Sequence, residues 1–243
     1  FRNQRNCAGK GHRLCWLTPG YTTCDMTLAL FDLDNTLIAG DSDHLWGVFL
    51  CEQGLVDGED FAQRNEAFYA DYQRGELDID AYLRFALAPL ADRPPEQLAD
   101  WHAAFMREKI EPIMLPAAAE LVARHRDRGD TLLIVTATNA FITRPIADAL
   151  GIDNLLACEG EIVDGRYTGE PVGIPTYREG KVARLKAWLA QTGLSMAGSW
   201  FYSDSHNDLP LLEQVDNPVV VDPDELLAER ARVAGWPVIS LRG

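Results

Sequence analysis

Short unbroken apolar runs alternate along this 243-residue chain with longer segments whose apolar residues recur every three or four positions. The runs are LALF at 28–31, LLIV at 132–135, LLAC at 155–158, WFY at 200–202 and VVV at 219–221. None carries a charge or a helical spacing, which predicts strands buried on both faces, as in a parallel sheet covered by helices. Between them, residues 116–129, about 141–150 and 179–192 read as helices. The first has Pro116 near its start and Gly129 just past its end. GEIVDGRYTGE reads as a hairpin turning at Asp164-Gly165. The alternation predicts a right-handed, doubly wound parallel α/β sheet of the Rossmann-like kind.

One stretch breaks the rhythm. From about Ser42 to Glu111 the pattern is helical throughout, with Trp46, Phe49, Phe61, Phe68, Tyr69, Tyr72, Tyr82, Phe85, Trp101 and Phe105 at helical spacing. Gly54, Gly58, Gly75 and Pro94-Pro95 punctuate it. The expected organisation is therefore a core from residues 26–41 and 112–243, with an all-helical cap inserted at 42–111. The aromatic stripe is expected to be core packing.

Residues 1–25 differ from the rest. They hold four basic residues against one acid, three of the five cysteines (Cys7, Cys15, Cys24), and no apolar run. They read as a flexible extension: an expression artefact or a product of upstream translation. A zinc site from these cysteines and His12 lacks the usual paired spacing. Cys51 and Cys158 read as small buried hydrophobes of a cytosolic protein.

A formal charge of −15 argues against nucleic acid or an anionic membrane as partner. No apolar run reaches the roughly 20 residues a membrane span needs. The same charge repels a phosphorylated metabolite at long range, so a site for one must supply its own cations.

Polar clusters sit where the runs end. Asp32 and Asp34 follow the first strand, with Thr36 beside them; Thr136 ends the second; Lys181 opens a helix; and Ser203-Asp204-Ser205-His206-Asn207-Asp208 follows a later strand. The carboxyl edge of an open α/β sheet is where its chemistry lies. Paired carboxylates there suit a Mg²⁺-assisted site in which one Asp is the nucleophile.

In this order the clusters resemble the motifs of the haloacid dehalogenase superfamily of phosphohydrolases, over roughly residues 26–222. The helical insertion after the first motif is similar to the branch containing phosphoserine phosphatase. FDLDNTL, IVTATN and YSDSHNDLPLL look closer still to bacterial members that act on histidinol phosphate, a step of histidine biosynthesis. The resemblance implies Asp32 as nucleophile, giving an aspartyl-phosphate, and Asp34 as general acid and then base. It implies Mg²⁺ held by the Asp32 side chain, the Asp34 backbone carbonyl and the Asp204 side chain, with Asp208 behind them. Thr136, Lys181 and Asn207 would contact phosphate or substrate. The usual glycines of the last motif are replaced by Ser203 and Ser205, and His206 is expected to be a loop residue beside the site.

Asp41, nine residues after Asp32, matches the position that reads a substrate amine in phosphoserine phosphatases. The expected substrate is a small amine-bearing phosphate ester: histidinol phosphate first, phosphoserine second. Phosphoserine also needs an arginine, and Arg64, Arg74, Arg84 and Arg93 are all available. Asp43, His44, Trp46 and Tyr72 are further candidates for the pocket. A phosphotransferase or a non-catalytic phosphate-binding module remain alternatives, the latter disfavoured by the presence of Asp34.

Overall fold

The computed structural model describes residues 27–243. The extension at 1–25, with its cysteines and His12, lies outside them. Seven strands form one sheet: β1 (Leu28–Phe31), β2 (Thr131–Asn139), β3 (Asn154–Val163), β4 (Arg166–Val172), β5 (Trp200–Ser203), β6 (Asn217–Val221) and β7 (Val238–Ile239), in the order β4-β3-β2-β1-β5-β6-β7. All pairs are parallel except β3 with β4, so the sheet is the expected Rossmann-like one with an antiparallel edge.

Alternate residues of β1 feed two different cores. Ala29 and Phe31 join one cluster with Ile134, Ile146 and Tyr202; Leu28 and Leu30 join another with Leu133, Val182 and Phe201. Burial on both faces is the reason the run shows no polar alternation. The chain then runs from β1 to β2 on one side and later places β5 on the other. Strand order reverses at the end of β1, where a crevice opens.

Between β1 and β2 lie α1 (Ser42–Glu52), α2 (Gly58–Arg74), α3 (Ile79–Leu87), α4 (Pro95–Phe105) and, leading into β2, α5 (Pro116–Arg128). The chain leaves and re-enters at one point: Ile38 bridges Met114, and the Ala39 N–H donates to the Ile113 carbonyl at 2.8 Å. The aromatic stripe divides. Trp46, Phe49 and Phe105 are fully buried and pack together. Phe68, Tyr69, Tyr72 and Tyr82 instead line a cavity, so the core-packing expectation holds for only part of it.

Beyond β2 come α6 (Ala140–Ala149), α7 (Glu179–Thr192), the short α8 (Leu209–Leu212) and α9 (Glu225–Ala234). The strand at 155–158 and the first arm of the hairpin prove to be a single strand, β3. It pairs with β2 up to Cys158, then bends away to pair with β4. Asp164 and Gly165 both take positive φ, the geometry of a tight two-residue turn. Among the described residues, no helix is long and apolar enough to cross a membrane.

Candidate active site

Asp32 continues the edge of β1: its N–H donates to the Tyr202 carbonyl of β5 at 2.9 Å. The chain then turns sharply, with the Leu37 N–H bonded back to the Leu33 carbonyl at 2.8 Å and Asn35 in the left-handed region. That turn carries Asp34 off the strand axis. Asp32 and Asp34 are both buried.

Lys181, in the first turn of α7, is buried and reaches back across the sheet. Its Nζ lies 2.7 Å from Asp32 Oδ1 and 2.8 Å from Asp208 Oδ2. Asp208 also accepts from the Ser203 hydroxyl at 2.8 Å. Burial opposes the charge on Lys181, but Asp208 and Asp32 outweigh it and raise the pKa, so the ammonium persists. Gly180, just before it, sits where a Cβ would lie 1.9 Å from the Pro175 carbonyl oxygen; the backbone approach that aims Lys181 requires glycine.

Asp204 completes the acidic group. The Thr36 hydroxyl donates to its Oδ1 at 3.0 Å and accepts from its N–H at 3.1 Å. Burial, then repulsion from Asp32 and Asp208, pushes the Asp204 carboxyl well above the usual range. Burial likewise raises Asp32 and lifts Asp208 to about 6. Asp32 and Asp208 share one ammonium while Asp204 is met by the Thr36 hydroxyl, so the group carries surplus negative charge that suits a hard cation. Among the described residues no three His, Cys, Asp or Glu side chains form a metal cage by themselves. A set of two carboxylates, one carbonyl and retained water is what Mg²⁺ accepts.

Asp34 is held on both oxygens. The Ser42 N–H, at the start of α1, donates to Oδ1 at 2.6 Å, and the Thr138 hydroxyl donates to Oδ2 at 2.7 Å. Burial, then the charge of Asp41, raises its pKa to about 6. Nothing in the sequence pattern singles out Thr138. The available signal is its position two residues after Thr136, and both line the same cavity.

Thr136, Asp32, Asp34 and Asp41 all line one cavity between the sheet edge and the helices, together with Asp43, His44, Phe68, Tyr69, Tyr72 and Tyr82. Asp41 caps α1, accepting from the His44 N–H at 2.8 Å, and burial pushes its carboxyl up to about 6. Asn207 is not among the lining residues. Its amide donates to the Tyr72 carbonyl at 3.1 Å and accepts from the Tyr177 hydroxyl at 3.1 Å, joining the loop after β5 to α2. His206 turns away to Asp224, 2.8 Å from Nδ1. Trp46 is in the aromatic core and outside the cavity.

None of the four candidate arginines lines the cavity. Arg64 lies over Phe85, Arg93 over Trp101, Arg84 pairs with Glu170 at 3.0 Å, and Arg74 pairs with Asp71 and Glu76. Cys158 is buried, its thiol pushed up to about 12 by burial, while Cys51 is half-buried; both are free.

Comparison with known proteins agrees with this geometry. The pattern of the haloacid dehalogenase-like hydrolases matches residues 29–213. A histidinol-phosphatase of Neisseria meningitidis serogroup C (strain 8013) is 48% identical over 219 residues, spanning 88% of this chain and 99% of that protein. A phosphoserine phosphatase of Mycobacterium tuberculosis (strain ATCC 25618 / H37Rv) is 31% identical over 222 residues, spanning 90% of this chain and 72% of that one. Among solved structures, a protein of unknown function from Bordetella pertussis Tohama I superposes with a TM-score of 0.84 at 45% identity, covering 89% of this chain and 99% of that one. A substrate-bound phosphoserine phosphatase shares the fold, with a TM-score of 0.67 at 19% identity over 90% of this chain and 94% of its own. The chain belongs to the haloacid dehalogenase-like hydrolase family and is a phosphoric monoester hydrolase.

Proposed function

We propose that this hydrolase removes phosphate from histidinol phosphate through an aspartyl-phosphate on Asp32. One observation carries the choice of substrate. The cavity above Asp32 is lined by Asp41, Asp43 and aromatic rings, with no lysine or arginine among its described lining residues. Such a wall accepts a cationic, ring-bearing alcohol and leaves a substrate carboxylate unpaired, which disfavours phosphoserine.

The Asp32 carboxylate attacks phosphorus in line with the ester oxygen, and the P–O bond breaks as the departing alkoxide takes a proton from Asp34. Asp34 then accepts a proton from the water that attacks phosphorus, returning Asp32 as carboxylate. A pKa near 6 suits both duties near neutral pH. Lys181 and the Thr136 hydroxyl hold phosphoryl oxygens, and Lys181 keeps Asp32 oriented. The Asp32 and Asp204 side chains with the Asp34 carbonyl would hold Mg²⁺, whose charge lets a carboxylate approach a phosphate dianion. Residues 42–111 serve as a cap over the core of 26–41 and 112–243, excluding water from the reacting group. Asn207 ties that cap to the loop after β5. The free thiols of Cys51 and Cys158 accord with a cytosolic setting.

The deciding experiment compares kcat/KM for histidinol phosphate and phosphoserine, with Mg²⁺ and after exhaustive chelation. A preference of at least about a hundredfold for histidinol phosphate is expected, with loss of turnover on chelation that added Mg²⁺ restores. A preference for phosphoserine reverses the substrate assignment. Full turnover without a divalent cation removes the metal from it.

A further inference from the structure

Asp43 lies in the first turn of α1, whose start is fixed to the catalytic centre by the Ser42–Asp34 bond. It is 7% exposed and lines the cavity. Its Oδ1 has no hydrogen-bond partner, and among the described residues it is the only buried carboxylate oxygen so placed. Helix capping does not account for it, because Asp41 already provides the cap. Tyr82 neighbours it in the cavity wall but makes no hydrogen bond to that oxygen, and no lysine or arginine is among the described lining residues. Leaving a carboxylate oxygen buried and unmatched costs free energy that a ligand's N–H or positive charge recovers on binding.

The surroundings say what shape of ligand that is. Tyr69 stacks on His44 with ring centroids 4.6 Å apart, and Phe68 meets Tyr82 edge-on at 5.3 Å. Burial lowers the His44 pKa, so His44 adds no charge there at neutral pH. These rings line the cavity together with the acids Asp41 and Asp43. A planar nitrogen heterocycle with an N–H at its rim matches both features.

Resting on the histidinol phosphate reading above, we infer that Asp43 determines specificity by accepting the N–H of the substrate's imidazole ring, while Asp41 takes the ammonium group. The two acids thereby divide the organic part of the substrate, and the phosphate end is read separately by Lys181 and Thr136. Removing Asp43 costs discrimination between esters with and without the ring.

The test uses the Mg²⁺-loaded protein and two esters, histidinol phosphate and 2-aminoethyl phosphate, which carries the ammonium but no ring. The quantity read is the ratio of their kcat/KM values. Wild type is expected to favour histidinol phosphate, and Asp43→Ala, which removes both acceptor oxygens, to lower that ratio by about 30-fold, mostly through KM. Asp43→Leu carries the same test should the alanine variant fail to fold. An unchanged ratio in a folded variant, whether both substrates are lost in parallel or neither, overturns the assignment of Asp43 alone. A wild-type ratio near one overturns the substrate reading, and Asp43 with it.

Discussion

The Thr138 hydroxyl donates to Asp34 Oδ2 at 2.7 Å, joining the loop after β1 to the end of β2 across 104 residues of sequence. A bond from a neutral donor to a carboxylate favours the ionised form, so it holds down a pKa that burial drives up. Thr138→Val should move the Asp34-dependent limb of the pH–rate profile upward by about one pH unit, the equivalent of about 1.4 kcal/mol. Thr138→Ser should leave the limb in place. Profiles of kcat for the three proteins decide it.

Asp32→Asn should reduce phosphate release by about a thousandfold or more. The amide oxygen still accepts from Lys181, and repulsion from Asp34 and Asp204 is relieved. Thermal unfolding should therefore occur at or above the wild-type Tm. Near-normal turnover would remove Asp32 as nucleophile.

Lys181→Met should destabilise the metal-free protein by about 3–5 kcal/mol, because it strands the buried carboxylates of Asp32 and Asp208. Those acids can instead take up protons, so the loss should shrink as pH falls. Urea unfolding with chelator at pH 7.5 and 5.5 measures both effects.

Gly180→Ala should cost about 1–3 kcal/mol or more. Its Cβ would meet the Pro175 carbonyl, a backbone atom with little room to retreat. Relief of that clash displaces Lys181, so kcat should fall together with Tm. Retention of both would show that the turn before α7 adapts.

Asp41 has its carboxyl raised to about 6 from an ordinary 3.8, chiefly by burial. The folded chain holds this proton more tightly than the unfolded chain. The associated stability is present below about pH 4 and lost as pH rises through about 6. Asp41→Asn keeps a good helix cap, so it should stabilise the protein by about 1–3 kcal/mol at pH 7.5 and hardly at all at pH 4. In wild type, kcat/KM for histidinol phosphate relative to acetyl phosphate, which has no ammonium, should fall below about pH 6. The Asn variant should show no such limb.

The motif acids are legible in the amino-acid sequence because their spacing is local. A both-faces-buried strand writes itself as an apolar run, and the residues just past its end must lie at the sheet's carboxyl edge. Asp32, Asp34, Thr136 and Asp204 stand out for that reason. The two-residue β7 and the short α8 leave no such trace, being below the length at which periodicity registers. The bend that makes β3 one strand rather than two depends on which neighbour each half pairs with.

Residues a few positions apart dictate the alternating sheet, the helical insertion and the chemistry at the sheet's edge, so all three are written in the order of the amino acids. That order leaves open that Phe68, Tyr69 and Tyr82 line a cavity while Trp46 packs in the core, that four arginines turn elsewhere, and that the Asn207 amide bonds a backbone carbonyl of α2. One helical stripe serves both core and cavity, and its spacing is the same for either. Which part remains uncovered is set by the side chains that arrive from distant segments, and only the folded arrangement brings those together.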